Sequence, residues 1–316
     1  MTGPGLPPGG GLLLVDKPSG CTSHDVVGRV RRVLGLKRVG HAGTLDPMAT
    51  GLLVLAVDRA TRLLGHLALT DKTYRATVRL GVSTDSDDAD GTVTGTVDAA
   101  GVDDTALAAA MAALTGDLLQ VPSAVSAIKV DGRRAYDRVR AGEQVELAAR
   151  PVTVGRFDLD ALPRRADGRI DLDVTVDCTT GTYVRSLARD LGAALGVGGH
   201  LTALRRTRVG PFALDGPAGR AIDVFRGVPA DRPPVTDELV AQVRGALLPA
   251  VDAVRLAFPV RTVTAAQALD LGHGRRIEAG GIAGTYAALD PGGALVALVA
   301  DQDGRTRSVF GWQAGG

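Results

Sequence analysis

Apolar residues fall along this chain in three kinds of run, and each predicts a different element. Leu12-Leu13-Leu14-Val15 and Leu52-Leu53-Val54-Leu55-Ala56-Val57 are unbroken, as expected of strands with both faces covered. From Lys72 to Gly81, Tyr74, Ala76, Val78 and Leu80 alternate with more polar residues including Arg75 and Arg79, the period of a half-buried strand. Arg150 to Leu162 and Ile170 to Cys178 read as two further long strands. Helical spacing marks Val26, Val27, Val30, Val33 and Leu34, with Ser23 as the expected cap and Gly35 as the stop. A second set, Val184, Leu187, Ala188, Leu191 and Leu195, follows Thr182 as its expected cap. Shorter helices are predicted after Asp58, with Leu63, Leu64 and Leu67 inward, and from Asp104 to Leu114, closed by Gly116. Beyond a Pro-rich connection between Val228 and Val235, one helix is expected from Asp237 to about Val254. From Phe258 onward, Gly-punctuated apolar segments (Val263 to Leu271, Gly284 to Leu289, Leu295 to Val299, Ser308 to Trp312) predict a small β-rich domain.

Composition narrows the function classes. The 316 residues are 45% hydrophobic and 22% charged, as in soluble globular proteins, and no apolar run is long enough to span a membrane. Met1 to Gly10 is Pro- and Gly-rich and uncharged, so a flexible tail is expected. Leu12 to Val15 is too short for a signal-peptide core, and a cytoplasmic location is expected. Two cysteines, Cys21 and Cys178, give no disulfide framework, and the five histidines (His24, His41, His66, His200, His273) lack metal-ligand spacing. No metal and no cofactor are expected. Net charge is only +1, yet from Cys21 to Leu80 ten basic residues face four acidic ones. That local surplus suits a phosphate-bearing partner, whereas a globally basic protein is excluded. Asp85, Asp87, Asp88 and Asp90 offset much of it. Their loop looks like a calcium loop but lacks the glutamate at the twelfth position, where Thr96 stands if the loop starts at Asp85.

The candidate chemistry centres on Val39 to Gly51. Asp46 precedes Pro47 and is therefore pushed out of helical geometry, with Gly43 and Gly51 on either side. This is a rigid loop entering a buried strand, a suitable mount for a reacting carboxylate, although an Asp-Pro turn bonding only its own backbone has the same spacing. Arg185 falls in the first turn of its predicted helix, where a cation is locally unfavourable, so a negative partner is expected.

Gly40-His41-Ala42-Gly43-Thr44-Leu45-Asp46-Pro47-Met48-Ala49-Thr50-Gly51 resembles the signature of TruB-type tRNA pseudouridine-55 synthases. Lys72-Thr73-Tyr74, Gly181-Thr182-Tyr183-Val184-Arg185 and Gly198 to Gly210 are similar to further family motifs, in the family's order. The resemblance implies an α+β pseudouridine synthase fold, with a central, mostly antiparallel sheet flanked by helices and a small β-rich PUA-like C-terminal domain. It implies a tail over 1–10, a catalytic domain over 11–255 with a thumb-like insertion at about 124–150, and a PUA-like domain over 256–316. It assigns Asp46 as nucleophile, Arg185 as its partner, lowering the Asp46 pKa, and Tyr74 as the ring against the target base. His41, Tyr183, Leu204, Lys17 and Lys129 fall on the substrate side; Lys17-Pro18 also matches a pair that supports the active-site loop. The implied partner is the T-stem-loop of tRNA, met by a monomer without guide RNA. A guide-dependent relative commonly has Lys-Val-Thr-Gly where Met48-Ala49-Thr50-Gly51 stands. A non-catalytic RNA-binding protein or tRNA folding chaperone, and a nucleoside hydrolase, are the other readings. The last would need a water-activating base or metal that the motifs lack.

Overall fold

The computed structural model describes residues 5–68, 70–123, 147–225 and 234–312, and the backbone alone of the two-residue strands Lys129–Val130 and Arg133–Arg134. Most of the expected thumb-like insertion, with Tyr136, Arg138 and Arg140, lies outside the described residues, as does the side chain of Lys129.

A large mixed sheet carries the fold. Its strands are β1 (Gly11–Lys17), β2 (Val39–Ala42), β3 (Thr50–Val57), β4 (Lys72–Leu80), β5 (Gly116–Gln120), β6 (Arg150–Leu159), β7 (Arg169–Cys178) and β8 (Gly199–Val209). The spatial order runs from Leu248–Pro249 through β1, β3, β8, β4, β7 and β6 to β5, with β2 on β3. Its long ladders are antiparallel, except that β3 and β8 pair in parallel at Thr50 and Gly51 with Arg205 and Arg206.

Burial explains the two kinds of strand sequence. Helices α1 (Ser23–Leu34), α2 (Asp104–Ala113), α3 (Val184–Ala194) and α4 (Asp237–Gly245) cover one face and share a core with Leu13, Val15, Leu53, Leu55, Tyr74, Val78 and Leu80. The other face of β1 and β3 packs Leu12, Leu14, Leu52, Val54 and Ala56 against α5 (Ala250–Ala257) and against Ala287, Leu289, Leu295 and Leu298 of a second sheet. Strands covered on both sides read as continuous apolar runs. β4 has water on one face and therefore alternates.

The second sheet orders Val260–Thr262, Thr285–Leu289, Leu295–Gln302, Arg305–Gly311 and Ile277–Glu278. Here the segment Val263 to Leu271, expected as part of a β-rich run, is instead helix α6 (Ala265–Gly272). Thr264 and Gln267 close a reciprocal capping box at its start. The single helix expected from Asp237 to about Val254 is two, because Leu248–Pro249 extends to pair with the edge of β1. Proline lacks the N–H that a continuous helix would need there. The described part of the N-terminal tail is anchored: Leu6 packs on the core, and the Gly9 carbonyl accepts from the Ala60 N–H.

Candidate active site

The loop between β2 and β3 carries Asp46 and is held from below. Ser23 is buried in the first turn of α1, where its hydroxyl accepts from the Leu45 N–H at 2.8 Å and donates to the Leu45 carbonyl at 3.0 Å. The helix cap is Thr22, one residue earlier than expected, in a capping box with Asp25, which leaves Ser23 free for the loop. Lys17 is fully buried, and its ammonium donates to the carbonyls of Cys21 at 2.7 Å, Pro18 at 2.9 Å and Pro47 at 3.2 Å. Its place is beneath the loop, where three carbonyls stabilise a cation that burial otherwise disfavours.

Asp46 is ion-paired with Arg185: Nη2 donates a hydrogen bond to Oδ1 at 3.2 Å, and Nε lies 3.0 Å from Oδ2. The Arg185 side chain is only 3% exposed, while that of Asp46 keeps 34%. The other edge of the guanidinium donates to the Ser86 carbonyl at 2.8 Å and to Ser123 Oγ at 3.2 Å, and lies 3.5 Å from Asp88 Oδ2. Burial raises the Asp46 pKa above its ordinary value; Arg185 lowers it and Asp88 raises it again. Arg185 thus acts in the expected sense, but desolvation outweighs it.

The first turn of α3 is set by a distant residue. Tyr183 is the helix cap and has no side-chain capping bond. Gln120 of β5 supplies the contacts instead, accepting from the Tyr183 N–H at 2.8 Å and donating to its carbonyl at 3.1 Å. The cap expected at Thr182 is therefore displaced by a long-range contact.

Asp46, Tyr74, Tyr183, Arg185 and Leu204 line one cleft of about 270 Å³, together with Gly43 to Leu45, Lys72, Thr180 to Thr182, Val184 and Arg206. Tyr74, 8% exposed, and Leu204, 7% exposed, form apolar wall. Burial raises the phenol pKa, and Arg206 opposes that shift. His41 stands on β2 and does not line the cleft; burial and Arg206 lower its pKa. The structure thus gathers five of the eight named residues, puts Lys17 underneath and His41 beside them, and leaves the Lys129 side chain undescribed. Among the described residues, no group of three or more His, Cys, Asp and Glu gathers to hold a metal ion.

The sequence from 31 to 184 matches the model of the TruB family pseudouridylate synthase N-terminal domain. Residues 185–223 match a tRNA pseudouridylate synthase B C-terminal domain, and 258–312 match tRNA pseudouridine synthase II, C terminal. A tRNA pseudouridine synthase B of Nocardia farcinica is 57% identical over 96% of this chain and 93% of that protein. One from Mycobacterium sp. strain KMS is 53% identical over 98% and 97%. The chain belongs to the TruB family. It is therefore a pseudouridine synthase, an isomerase, with the α+β fold of that class. A crystal structure of a Cbf5-Nop10-Gar1 complex shares the TruB chain's fold with a TM-score of 0.66 at 28% identity, covering 94% of this chain and 83% of that one. That of the archaeal box H/ACA sRNP Nop10-Cbf5 complex gives 0.65 at 25%, covering 96% and 86%.

Within this TruB cleft, the acidic turn was the feature least visible from sequence. Asp87 and Asp88 are buried, and they approach Arg189 at 3.3 Å and Arg185 at 3.5 Å respectively. A run of four aspartates with Ser86 among them was readable as unusual. The arginines one helical turn apart at 185 and 189 were the matching signal on the other side.

Proposed function

We propose that this protein isomerises uridine-55 in the T-loop of tRNA to pseudouridine, without guide RNA, and that Asp46 is its nucleophile. The observation that carries this reading is a partly open carboxylate, paired with a buried guanidinium, in a cleft with a tyrosine wall. The reaction is internally balanced. The bond from the sugar to N1 of uracil breaks, the base turns, a bond to C5 forms, and the proton lost from C5 is matched by one gained at N1. No water is consumed, so one carboxylate suffices, unlike the two needed for glycoside hydrolysis. Arg185 orients Asp46. Tyr74 stacks on the extruded base and assists proton transfer, with Leu204 and Tyr183 lining the base pocket.

His41 helps open the RNA loop from beside the cleft, and Lys129 meets phosphate. Residues 11–255 act as the catalytic unit and 256–316 as a PUA-like domain. The protein works as a cytoplasmic monomer and also assists tRNA folding. The family relatives named as tRNA enzymes, at 53–57% identity, support this over the guide-dependent reading.

Incubating purified protein with unmodified tRNA transcript, with neither cofactor nor guide, should yield one pseudouridine, at position 55. Asp46→Asn should bind tRNA and aid its refolding, yet lose turnover by at least about 10³-fold. Turnover retained in that variant would refute the assignment of Asp46.

A further inference from the structure

Arg206 is 1% exposed, on the strand that pairs in parallel with the start of β3. Its Nε donates to the Leu52 carbonyl at 2.8 Å, Nη1 to Thr44 at 3.3 Å and Nη2 to Gly43 at 3.0 Å. These acceptors lie on both sides of Asp46 in the sequence, so one guanidinium fixes both ends of the loop that presents the carboxylate. The main chain at Arg206 is just as close. A Cβ built on Gly51, at φ +98°, would sit 2.2 Å from the Arg206 carbonyl oxygen.

On its other side β8 pairs with β4, and Arg206 lies directly opposite Tyr74. The guanidinium charge acts on the Tyr74 phenol and opposes the upward push of burial on that group's pKa. Lys72, a further cation in the cleft, is committed to main-chain carbonyls: its ammonium donates to those of Thr70 at 2.8 Å and Ala68 at 3.2 Å.

We propose that Arg206 is a positioning residue that fixes both ends of the Asp46 loop to the strand position opposite Tyr74, and so sets the carboxylate and the phenol in register on either side of the reacting uridine. This rests on the proposed pseudouridine chemistry and adds to it a second arginine function, distinct from that of Arg185. Lysine at 206 keeps the charge but loses the planar fork whose separate nitrogens reach the Leu52, Thr44 and Gly43 carbonyls.

The test combines a double-mutant cycle with a spectroscopic readout, on the full chain with tRNA transcript. Arg206→Lys should lower kcat by about 10²-fold, the scale of a small misplacement of reacting groups, with KM changed by less than about threefold. In a Tyr74→Phe background, the same change should cost clearly less, because part of its effect is the register between the carboxylate and the phenol. Independently of turnover, the 3-fluorotyrosine resonance of Tyr74, identified by its absence in Tyr74→Phe, should shift in Arg206→Lys while that of Tyr286 stays.

Equal losses in both backgrounds, or an unmoved Tyr74 resonance, overturn the proposal. So does failure of both Arg206→Lys and Arg206→Gln to fold, which would assign the residue to the scaffold alone. Absence of turnover in the wild type would refute the proposed function and this inference together; an active wild type with additive losses overturns only the inference.

Discussion

Two sets of arginine–aspartate pairs occupy opposite sides of the same sheet, and they behave in opposite ways. In the cleft, Arg185 sits between Asp46 and Asp88 with almost no exposure, and the Asp46 pKa is raised because desolvation exceeds the attraction. On the open face, Arg79 and Asp171 pair across β4 and β7 at 2.7 Å, and Arg164 bonds Asp173 with Thr77 as a further donor. There the hydrogen bonds from Arg79 and Arg164 lower the pKa of Asp171 and Asp173. The chemical groups are the same; the water around them differs. An ion pair in solvent costs little to form and contributes little, whereas one in a cleft stores an unfavourable charge that a substrate can use.

The largest effect is expected from removing the buried cation. Arg185→Met leaves Asp46 and Asp88 without their guanidinium, and should destabilise the fold by about 3–5 kcal/mol, the cost of an orphaned buried charge. Turnover should be lost even where the chain is folded. Urea unfolding beside a single-turnover assay checks both, and a loss of under about 1 kcal/mol would erase the contrast with the open face.

Next comes pH, for which the two sites should give opposite slopes. The folded-state pKa of Asp46 lies above 3.8, so between that value and the folded pKa the native chain holds a proton that the unfolded chain releases. Its contribution to stability therefore falls as pH rises through this window. For Asp171 the folded pKa lies below 3.8, so its contribution is full above that value and is lost as pH falls through the folded pKa. Denaturation of wild type against Asp46→Asn and against Asp171→Asn, across acid to neutral pH, should show differences of opposite sign in slope. The acid limb of kcat/KM should likewise bend above the ordinary carboxylate value, because a protonated Asp46 cannot attack.

How far the sequence could have foretold this contrast differs by element. The alternation of Tyr74, Ala76, Val78 and Leu80 disclosed which side of β4 faces the core, and the Asp-Pro loop with its glycines marked the carboxylate. Both signals are local. What stayed hidden depends on residues far apart: Gln120 taking the place of a cap at Thr182, the buried acidic turn meeting α3, and Arg206 lying under the loop. In β8, Leu204, Arg206 and Arg208 fall on one alternating face, and two arginines there would place that face in water. The register shifts at Leu201/Ala203 and Arg206/Arg208 show why a simple period fails. A buried arginine is recognisable only once the carbonyls that accept from it have been folded around it.

The smallest expected effect sharpens the comparison from the solvent side. Arg79 and Asp171 are directly opposed in the β4–β7 ladder, and their geometry is bidentate, Nε to Oδ1 and Nη2 to Oδ2 both at 2.7 Å. Geometry alone would suggest a strong pair. Yet the two side chains keep 34% and 22% of their surface, so water and salt screen them, and fixing the long arginine side chain costs entropy. A double-mutant cycle with Arg79→Ala and Asp171→Ala should therefore give a coupling of about 0.2–1 kcal/mol, the range for exposed pairs and for opposed charges in a ladder. It should shrink toward zero at about 1 M salt, where the screening length is only about 3 Å. A coupling above about 2 kcal/mol that resists salt would mean that the open face insulates charge as the cleft does, and exposure could no longer explain why Asp46 and Asp171 shift in opposite directions.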